Sequence, residues 1–216
     1  MIKFNIITLF PELINDHLRY PPFKKAVSNN LIKINTINLR DYSTNSYKSV
    51  DDKPYGGGVG MILCVEPIYN CLRDYNLKKQ KDKKIILLSP KGKKFDQKLA
   101  KEFSTQKEIT FICGRYEGVD ARVERYCTDI VSLGDFILSG GESAALAIIE
   151  VSTRLIPGVL DKKEAVINES FEKNVLEYPQ YTRPEIFKKR AVPKILLSGD
   201  HKKIEMWRRK NSKKIN

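Results

Sequence analysis

Apolar runs rich in β-branched residues recur through the first two thirds of the chain, and segments with helical spacing lie between several of them. The runs cover residues 2–10, 32–39, 84–89, 109–113 and 129–133. The helical segments cover residues 11–20, 67–77, 95–105 and 119–127, and Pro11 suits the first turn of a helix. Near-continuous apolar strands that alternate with helices predict an α/β fold with a mostly parallel sheet.

The pattern changes after residue 142. Residues 142–156 form the strongest helical segment, and its 144–149 core is apolar almost all round, which predicts a helix buried in this chain or at a subunit interface. Pro157 and Gly158 end it. We therefore predict a first domain over residues 1–158, a polar linker over 159–178, and a small helical domain over 179–216 with helices at 184–190 and 200–210, the latter capped by Asp200.

Composition narrows the class of protein. No stretch approaches the roughly eighteen apolar residues of a membrane span, and the N-terminus fits a strand better than a signal peptide, so we expect a cytoplasmic protein without a membrane partner. The four cysteines show no C-x-x-C spacing, and the two histidines are far apart. This pattern favours reduced thiols and no metal site.

Charge points to a polyanionic partner. The formal net charge is +13, and residues 173–216 hold 13 basic and 4 acidic side chains. A basic C-terminal region is typical of proteins that contact nucleic-acid phosphates, although a solvated lysine-rich helix surface has the same composition.

Three glycine-bearing segments are candidates for ligand binding. Residues 55–61 lack the G-x-G-x-x-G spacing of dinucleotide-binding loops, and the chain has no phosphate-binding loop motif, so a flexible turn is an alternative there. Residues 112–120 and 132–142 each follow a predicted strand, as do residues 87–90. Because ligands bind at the carboxyl ends of parallel strands, these loops predict a pocket for an adenosine-type cofactor.

Six motifs in one order carry a more specific resemblance. They lie at residues 9–12, 51–58, 114–118, 134–142, 154–160 and 181–184. Together they resemble the bacterial tRNA (guanine-N1)-methyltransferases, the TrmD family of the SPOUT class, across essentially the whole chain. The resemblance implies a sheet with a deep trefoil knot and a homodimer whose active site spans both subunits. It also implies S-adenosylmethionine as methyl donor, magnesium as a further candidate cofactor, and N1 of guanosine 37 of tRNA as the methyl acceptor.

The resemblance assigns roles to individual residues. Glu169 stands as general base where the family usually has aspartate, and Arg154 stabilises the charge that develops on the guanine. The implied donor contacts are Leu87, Leu88, Ser89, Pro90, Gly114, Tyr116, Glu117, Gly118, Ser132, Leu133, Gly134, Asp135, Phe136, Ile137, Leu138, Gly140 and Gly141. The implied tRNA contacts are Asp51, Asp52, Tyr55, Gly56, Gly57, Gly58, Arg115, Arg183, Lys188, Lys189, Arg190, Arg208, Arg209 and Lys210.

Several positions depart from the family pattern. Phe136 replaces a tyrosine near the donor, Val59 replaces a proline in the glycine segment, and the C-terminal region is shorter than usual. Three other classes remain as alternatives: a related knotted methyltransferase with another RNA target, a nonenzymatic RNA-binding protein that kept the cofactor fold, and a dinucleotide-dependent oxidoreductase. The glycine triplet at 56–58 and the residues at 181–184 favour the guanine-N1 enzyme over the first. Intact glycine loops, Arg154 and the acid at 169 argue against the second, and the glycine spacing argues against the third.

Overall fold

The computed structural model describes residues 1–160, 170–171 and 175–214. The chain divides into two compact units, Met1–Asp161 and Lys162–Asn216. Most of the predicted linker falls outside the described residues, so the boundaries at 158 and 178 stay a prediction.

The first unit is built on a parallel sheet. Its strands, in chain order, are β1 (Ile2–Thr8), β2 (Ile32–Asn38), β3 (Asp51–Asp52), β4 (Ile62–Leu63), β5 (Lys83–Lys94), β6 (Glu108–Cys113) and β7 (Asp129–Ser132). Five of them form one sheet in the order β2-β1-β6-β5-β7, and every neighbouring pair is parallel. Strands β3 and β4 pair separately with each other in antiparallel register. The predicted mostly parallel α/β fold is confirmed.

Helices cover both faces of this sheet. They are α1 (Pro11–His17), α2 (Phe23–Ser28), α3 (Val65–Asp74), α4 (Gln97–Phe103) and α5 (Glu142–Arg154). One apolar cluster joins Phe4 and Phe111 of the sheet to α1, α2, α4 and α5, and a second joins Ile7 and Ile112 to α3. Burial on both faces explains why the strands read as near-continuous apolar runs.

Several helices differ from the predicted ones. Helix α1 ends at His17 rather than at residue 20, and α2 was not predicted. The segment predicted as a helix over 119–127 is a 3₁₀ helix, Ala121–Tyr126, which begins where the Asp120 carboxylate accepts a hydrogen bond from the Arg122 N–H. Helix α5 buries its apolar residues inside the first unit, so its composition needs no partner subunit to explain it.

Strand β5 carries a bulge that bears on the site. Leu88 and Lys93 both pair with Val131 of β7, so residues 89–92 are looped out of the ladder. The loop returns tightly, because a Cβ added at Gly92 would lie 2.4 Å from the Val131 nitrogen. Only glycine permits this approach of the two backbones.

The second unit is small and mixed rather than purely helical. Its elements are β8 (Val175–Leu176), β9 (Ile186–Phe187), β10 (Arg190–Ala191), α6 (Lys194–Leu197), α7 (His201–Asn211) and β11 (Lys213–Lys214). The predicted helix over 200–210 is confirmed, and the Asp200 carboxylate caps it by accepting from the Lys203 N–H at 3.1 Å.

The predicted helix over 184–190 is wrong, because β9 and β10 form an antiparallel hairpin there. The backbone of the two residues between the strands, Lys188 and Lys189, has positive φ angles that a helix excludes. The Val192 N–H donates to the Glu185 carbonyl and closes the hairpin at its base.

Candidate active site

Three loops at the carboxyl ends of parallel strands enclose a cavity of about 300 Å³. The loops are the bulge of β5, the turn that follows β6, and the segment between β7 and α5. Ligands of open α/β sheets bind at this edge, and the volume lies at the lower end of the range for small-molecule sites, roughly 300–1,000 Å³.

The structure brings the predicted donor residues together around this cavity, with two exceptions. Gly134 does not line it, and a Cβ there would meet the Phe136 ring at 2.8 Å. Asp135 forms an ion pair with Lys94 on the surface instead. The other predicted donor residues are all in the wall.

Arg115, predicted on the tRNA side, also lines the cavity, and several wall residues were not predicted. The latter are Lys91, Val119, Glu124, Val131, Ser139 and Ala144. Lys91, Val119 and Ser139 directly adjoin predicted residues, so assigning whole loops would have found them. Glu124 lies in the 3₁₀ helix outside every motif, and no sequence signal marks it.

The turn after β6 depends on unusual backbone angles. Tyr116 has φ 58° and Gly118 has φ 119°, and the Gly118 N–H donates to the Arg115 carbonyl at 3.0 Å. This left-handed turn directs Tyr116 and Glu117 into the cavity wall.

The turn after β6 and the start of α5 are in direct backbone contact. The Gly141 N–H donates to the Gly114 carbonyl at 2.9 Å, and a Cβ added at Gly141 would lie 2.8 Å from Cys113 Cα. The absence of a side chain at Gly141 lets two of the three loops form one wall.

A buried carboxylate ties this wall to the rest of the sheet. Glu142 is only 1% exposed. Its Oε1 accepts from Thr8 Oγ1 at 2.7 Å, and its Oε2 accepts from Arg115 Nη2 and Nε at 3.0 and 3.1 Å. The Arg115 guanidinium also lies 4.4 Å from the centre of the Phe10 ring. The network joins the ends of β1 and β6 to the first residue of α5 and gives the buried carboxylate three hydrogen-bond donors.

The glycine-rich segment lies against the same turn. The Glu117 N–H donates to the Met61 carbonyl at 3.0 Å. Gly60 has φ +87°, and a Cβ there would lie 2.6 Å from Glu117 Cγ. The position of Glu117 in the cavity wall therefore depends on the glycine at 60. Tyr55 and the glycines at 56–58 are exposed.

The remaining predicted residues lie outside the cavity wall. Asp51 and Asp52 form β3, and Arg154 is the last residue of α5, where it is half-buried. Glu169 lies outside the described residues. The predicted phosphate contacts of the second unit are exposed: Arg183, Lys188, Lys189, Arg190, Arg208, Arg209 and Lys210.

Cys113 lies directly before the cavity-lining Gly114 and does not itself line the cavity. Cys113 is buried, and burial together with the nearby Glu142 charge raises the pKa of its thiol well above the ordinary value. All four cysteines are free, as predicted.

Within residues 1–160, 170–171 and 175–214, no group of three or more His, Cys, Asp or Glu side chains is arranged to hold a metal ion. In the same part of the chain, no helix combines the length and apolar character of a bilayer span.

Known proteins are similar to this chain over nearly its whole length. The family model of tRNA (guanine-1)-methyltransferase TrmD matches residues 2–215. The tRNA (guanine-N(1)-)-methyltransferase of Clostridium novyi is 48% identical over 211 residues, which is 98% of this chain and 86% of that protein. The protein of the same name from Carboxydothermus hydrogenoformans is 48% identical over 212 residues, 98% and 83% of the two chains.

A solved structure agrees with the sequence relatives. The crystal structure of tRNA (m1G37) methyltransferase from Aquifex aeolicus superposes with a TM-score of 0.79 and 40% identity, covering 95% of this chain and 87% of that one. Because the family model, the sequence relatives and the solved structure all match nearly the whole chain, the chain belongs to the TrmD family of tRNA (guanine-1)-methyltransferases.

Proposed function

We propose that this chain transfers a methyl group from S-adenosylmethionine to N1 of guanosine 37 of tRNA, next to the anticodon. The observation that carries the proposal is the cavity at the ends of β5, β6 and β7, lined by the glycine loops of a chain that matches the family over residues 2–215.

The wall chemistry fits the donor. Leu87, Leu133 and Leu138 offer apolar surface for an adenine ring, and glycine backbone at 114, 140 and 141 permits close approach to it. Glu117 offers a carboxylate for the ammonium group of the donor's amino-acid end. When bound there, S-adenosylmethionine supplies a methyl group made electrophilic by the sulfonium.

The acceptor nitrogen needs a base. N1 of guanine carries a proton at neutral pH and is a poor nucleophile until that proton leaves. We assign its removal to the Glu169 carboxylate, and we assign to Arg154 the stabilisation of the negative charge that develops at O6. Both roles rest on the family resemblance of these two positions.

Glu169→Gln tests the assignment of the base. The amide cannot accept the N1 proton, so we expect turnover to fall by roughly 10²-fold or more while donor affinity is unchanged. Single-turnover methylation and donor titration measure the two quantities. Glu169→Asp, which restores the acid usual in the family, should keep turnover within about tenfold of wild type, and Glu177→Gln should leave it unchanged. Normal turnover in Glu169→Gln would move the role to another group.

We further propose the trefoil knot and a homodimer with a shared active site. The family fold supports the knot. Apolar exposure beside the cavity supports the dimer, because Phe136 and Ile137 are 54% and 80% exposed in the single chain.

Coexpression of Ser89→Glu, which blocks the donor cavity, with Glu169→Gln should restore activity if the cavity and the base of one site come from different protomers. An active monomer, or mixed dimers as inactive as each parent, would contradict the shared site.

Magnesium receives no protein site in this proposal. The residues described do not provide a cluster of carboxylates for it. Turnover measured against magnesium concentration, with tRNA folded beforehand, tests whether the ion acts on the protein or on the RNA.

Methylation of defined transcripts tests the function itself. A tRNA transcript with guanosine at position 37 should yield 1-methylguanosine, identified by mass spectrometry of the nucleosides. The same transcript with adenosine at 37 should yield no methylated base. Another methylated nucleoside in either transcript would favour the related knotted methyltransferase, and donor binding without methyl transfer would favour the nonenzymatic RNA-binding protein.

A further inference from the structure

The hairpin of β9 and β10 presents an aromatic side chain among cations, and the proposed function does not use that side chain. All residues from 181 to 191 are exposed. Phe187 is 62% exposed, although a phenylalanine of this kind ordinarily packs into a core. The question is therefore which partner would cover the ring.

Strand register places cations around Phe187. Phe187 pairs directly with Arg190 across the hairpin, so the two side chains share one face, while Ile186 and Ala191 share the other. Lys188 Nζ lies 5.6 Å from the centre of the Phe187 ring. We call Phe187, Lys188, Lys189 and Arg190 the hairpin platform.

The turn of the hairpin is built from residues that do not favour it. Lys188 and Lys189 have φ 44° and 64°. Positive φ at both central positions is the geometry that Asn-Gly favours, and lysine there costs backbone energy. The strained turn places the Lys188 ammonium 5.6 Å from the centre of the ring, with Lys189 next to it in the chain.

We propose that the hairpin platform binds an unpaired nucleotide of RNA, whose base stacks on Phe187 and whose phosphates contact Lys188, Lys189 and Arg190. Aromatic rings interleaved with cations are how proteins hold single-stranded nucleic acid, because every base has a π face and every nucleotide has a phosphate. The three cations of the hairpin platform favour a polyanionic partner such as RNA over another protein surface. This inference rests on the proposed tRNA substrate but adds a base-stacking residue to it.

Phe187→Leu tests the stacking. Leucine keeps an apolar side chain in the hairpin but has no π face, so affinity for a guanosine-37 tRNA transcript should fall about tenfold. Affinity for a blunt RNA duplex should not change, because a duplex offers no unpaired base. Phe187→Tyr should bind the transcript like wild type. Ile186→Ala, which alters an equally exposed apolar residue on the opposite face, is the matched control.

The double variant Lys188→Asn/Lys189→Gly tests the cations without disturbing the turn. Asn-Gly suits the positive φ angles, so the hairpin should be kept while two charges are lost. We expect weaker transcript binding and a plot of log affinity against log salt that is shallower by about 1.4, roughly 0.7 for each single-strand phosphate contact.

The outcomes separate this inference from the proposed function. Transcript affinity that is unchanged in Phe187→Leu, or lowered equally in Ile186→Ala, would overturn the stacking. An unchanged salt slope in the double variant would overturn the phosphate contacts. Failure of the wild-type protein to produce 1-methylguanosine would overturn the proposed function alone, because the binding measurements do not depend on methyl transfer.

Discussion

Glu142 has only 1% of its surface exposed, so the protein must replace the hydrogen bonds that its carboxylate has lost to water. Thr8 and Arg115 supply its donors. The same arginine packs on Phe10, and a Cβ at Gly140 would lie 2.2 Å from its Nε. The cavity wall is thus stabilised by a polar network rather than by apolar packing alone.

Glu142→Gln should weaken both the fold and the donor site. The amide is neutral and leaves the Arg115 guanidinium without its anion, at a cost of about 3–5 kcal/mol in unfolding free energy. Because Arg115 follows Gly114 in the cavity wall, we also expect weaker donor binding. Urea unfolding and donor titration measure these effects. Glu150→Gln, on the exposed side of the same helix, should stay within about 0.5 kcal/mol of wild type.

A normal unfolding free energy in Glu142→Gln would show that the network contributes little. A destabilised variant with normal donor affinity would restrict the role of Glu142 to the fold.

Single residues differ in how far sequence predicts them. Gly141 and Glu117 are marked by motifs, and the structure places both in the cavity wall. Lys91 is not itself part of a motif but adjoins the predicted Pro90, whereas Glu124 lies outside every motif. A lysine and a glutamate are ordinary surface residues in sequence, and only the β5 bulge and the 3₁₀ helix bring them to the cavity.

At the scale of elements, the β5 bulge decides the shape of the site. Residues 89–92 leave the ladder and return onto β7, and Gly92 lies against the backbone of residues 130 and 131. A bulge that directs residues towards a ligand pocket is common beside active sites.

Gly92→Ala should disrupt this return. The added Cβ would meet backbone atoms at 2.4–2.6 Å, and backbone cannot move aside as the end of a side chain can. We expect a loss of about 1–3 kcal/mol in unfolding free energy, or more, together with weaker donor binding. Lys91→Ala in the same bulge should leave the unfolding free energy unchanged. Equal stability of the two variants would contradict the close approach.

The start of β6 predicts a pH dependence. Burial acts to raise the pKa of Glu108, but hydrogen bonds from Lys3, Lys83 and Asn5 outweigh it and lower that pKa from 4.5 to about 2. A carboxylate with a lowered pKa in the folded state stabilises the fold above pH 4.5, and that stabilisation is lost as the pH falls towards 2.

Glu108→Gln removes the titrating group. The variant should be less stable than wild type at pH 7 and should lose less stability between pH 4.5 and 2. Unfolding free energies across this range test the expectation, with the exposed Glu12→Gln as control. Parallel pH curves for wild type and Glu108→Gln would contradict it.

Elements of the first unit could be predicted because the hydrophobic pattern is strong there. All five strands of the parallel sheet match predicted runs, since each contributes apolar residues to the clusters on both faces. Residues 184–190 could not be predicted from the pattern. No core covers them, so the hairpin depends on turn geometry at Lys188 and Lys189 that a sequence of two lysines does not signal.

At the scale of the whole molecule, positive charge is concentrated in residues 173–216 rather than spread evenly along the chain. Of the net +13, +9 lies in residues 173–216, so phosphate neutralisation should contribute a large share of tRNA affinity. Helix α7 concentrates three of these cations in its last turn, at 208–210.

The triple variant Arg208→Gln/Arg209→Gln/Lys210→Gln should therefore weaken tRNA binding. Glutamine has a helix propensity close to that of arginine and lysine, so the helix should be kept. The variant also loses the ion pair between Arg209 and Glu205, but that pair is exposed and contributes little stability. The plot of log affinity against log salt should become shallower by about 2–3, close to 0.9 for each phosphate contact. The loss should be similar for tRNAs of different sequence, because phosphates carry no base identity.

A matched triple variant separates local contacts from overall charge. Lys24, Lys78 and Lys98 are exposed in the first unit, and changing them to glutamine removes the same net charge. If α7 contacts phosphates, this control should keep nearly the wild-type affinity and salt slope. If both triple variants lose affinity equally, the attraction comes from the total charge of the molecule, and the assignment of phosphate contacts to α7 is wrong.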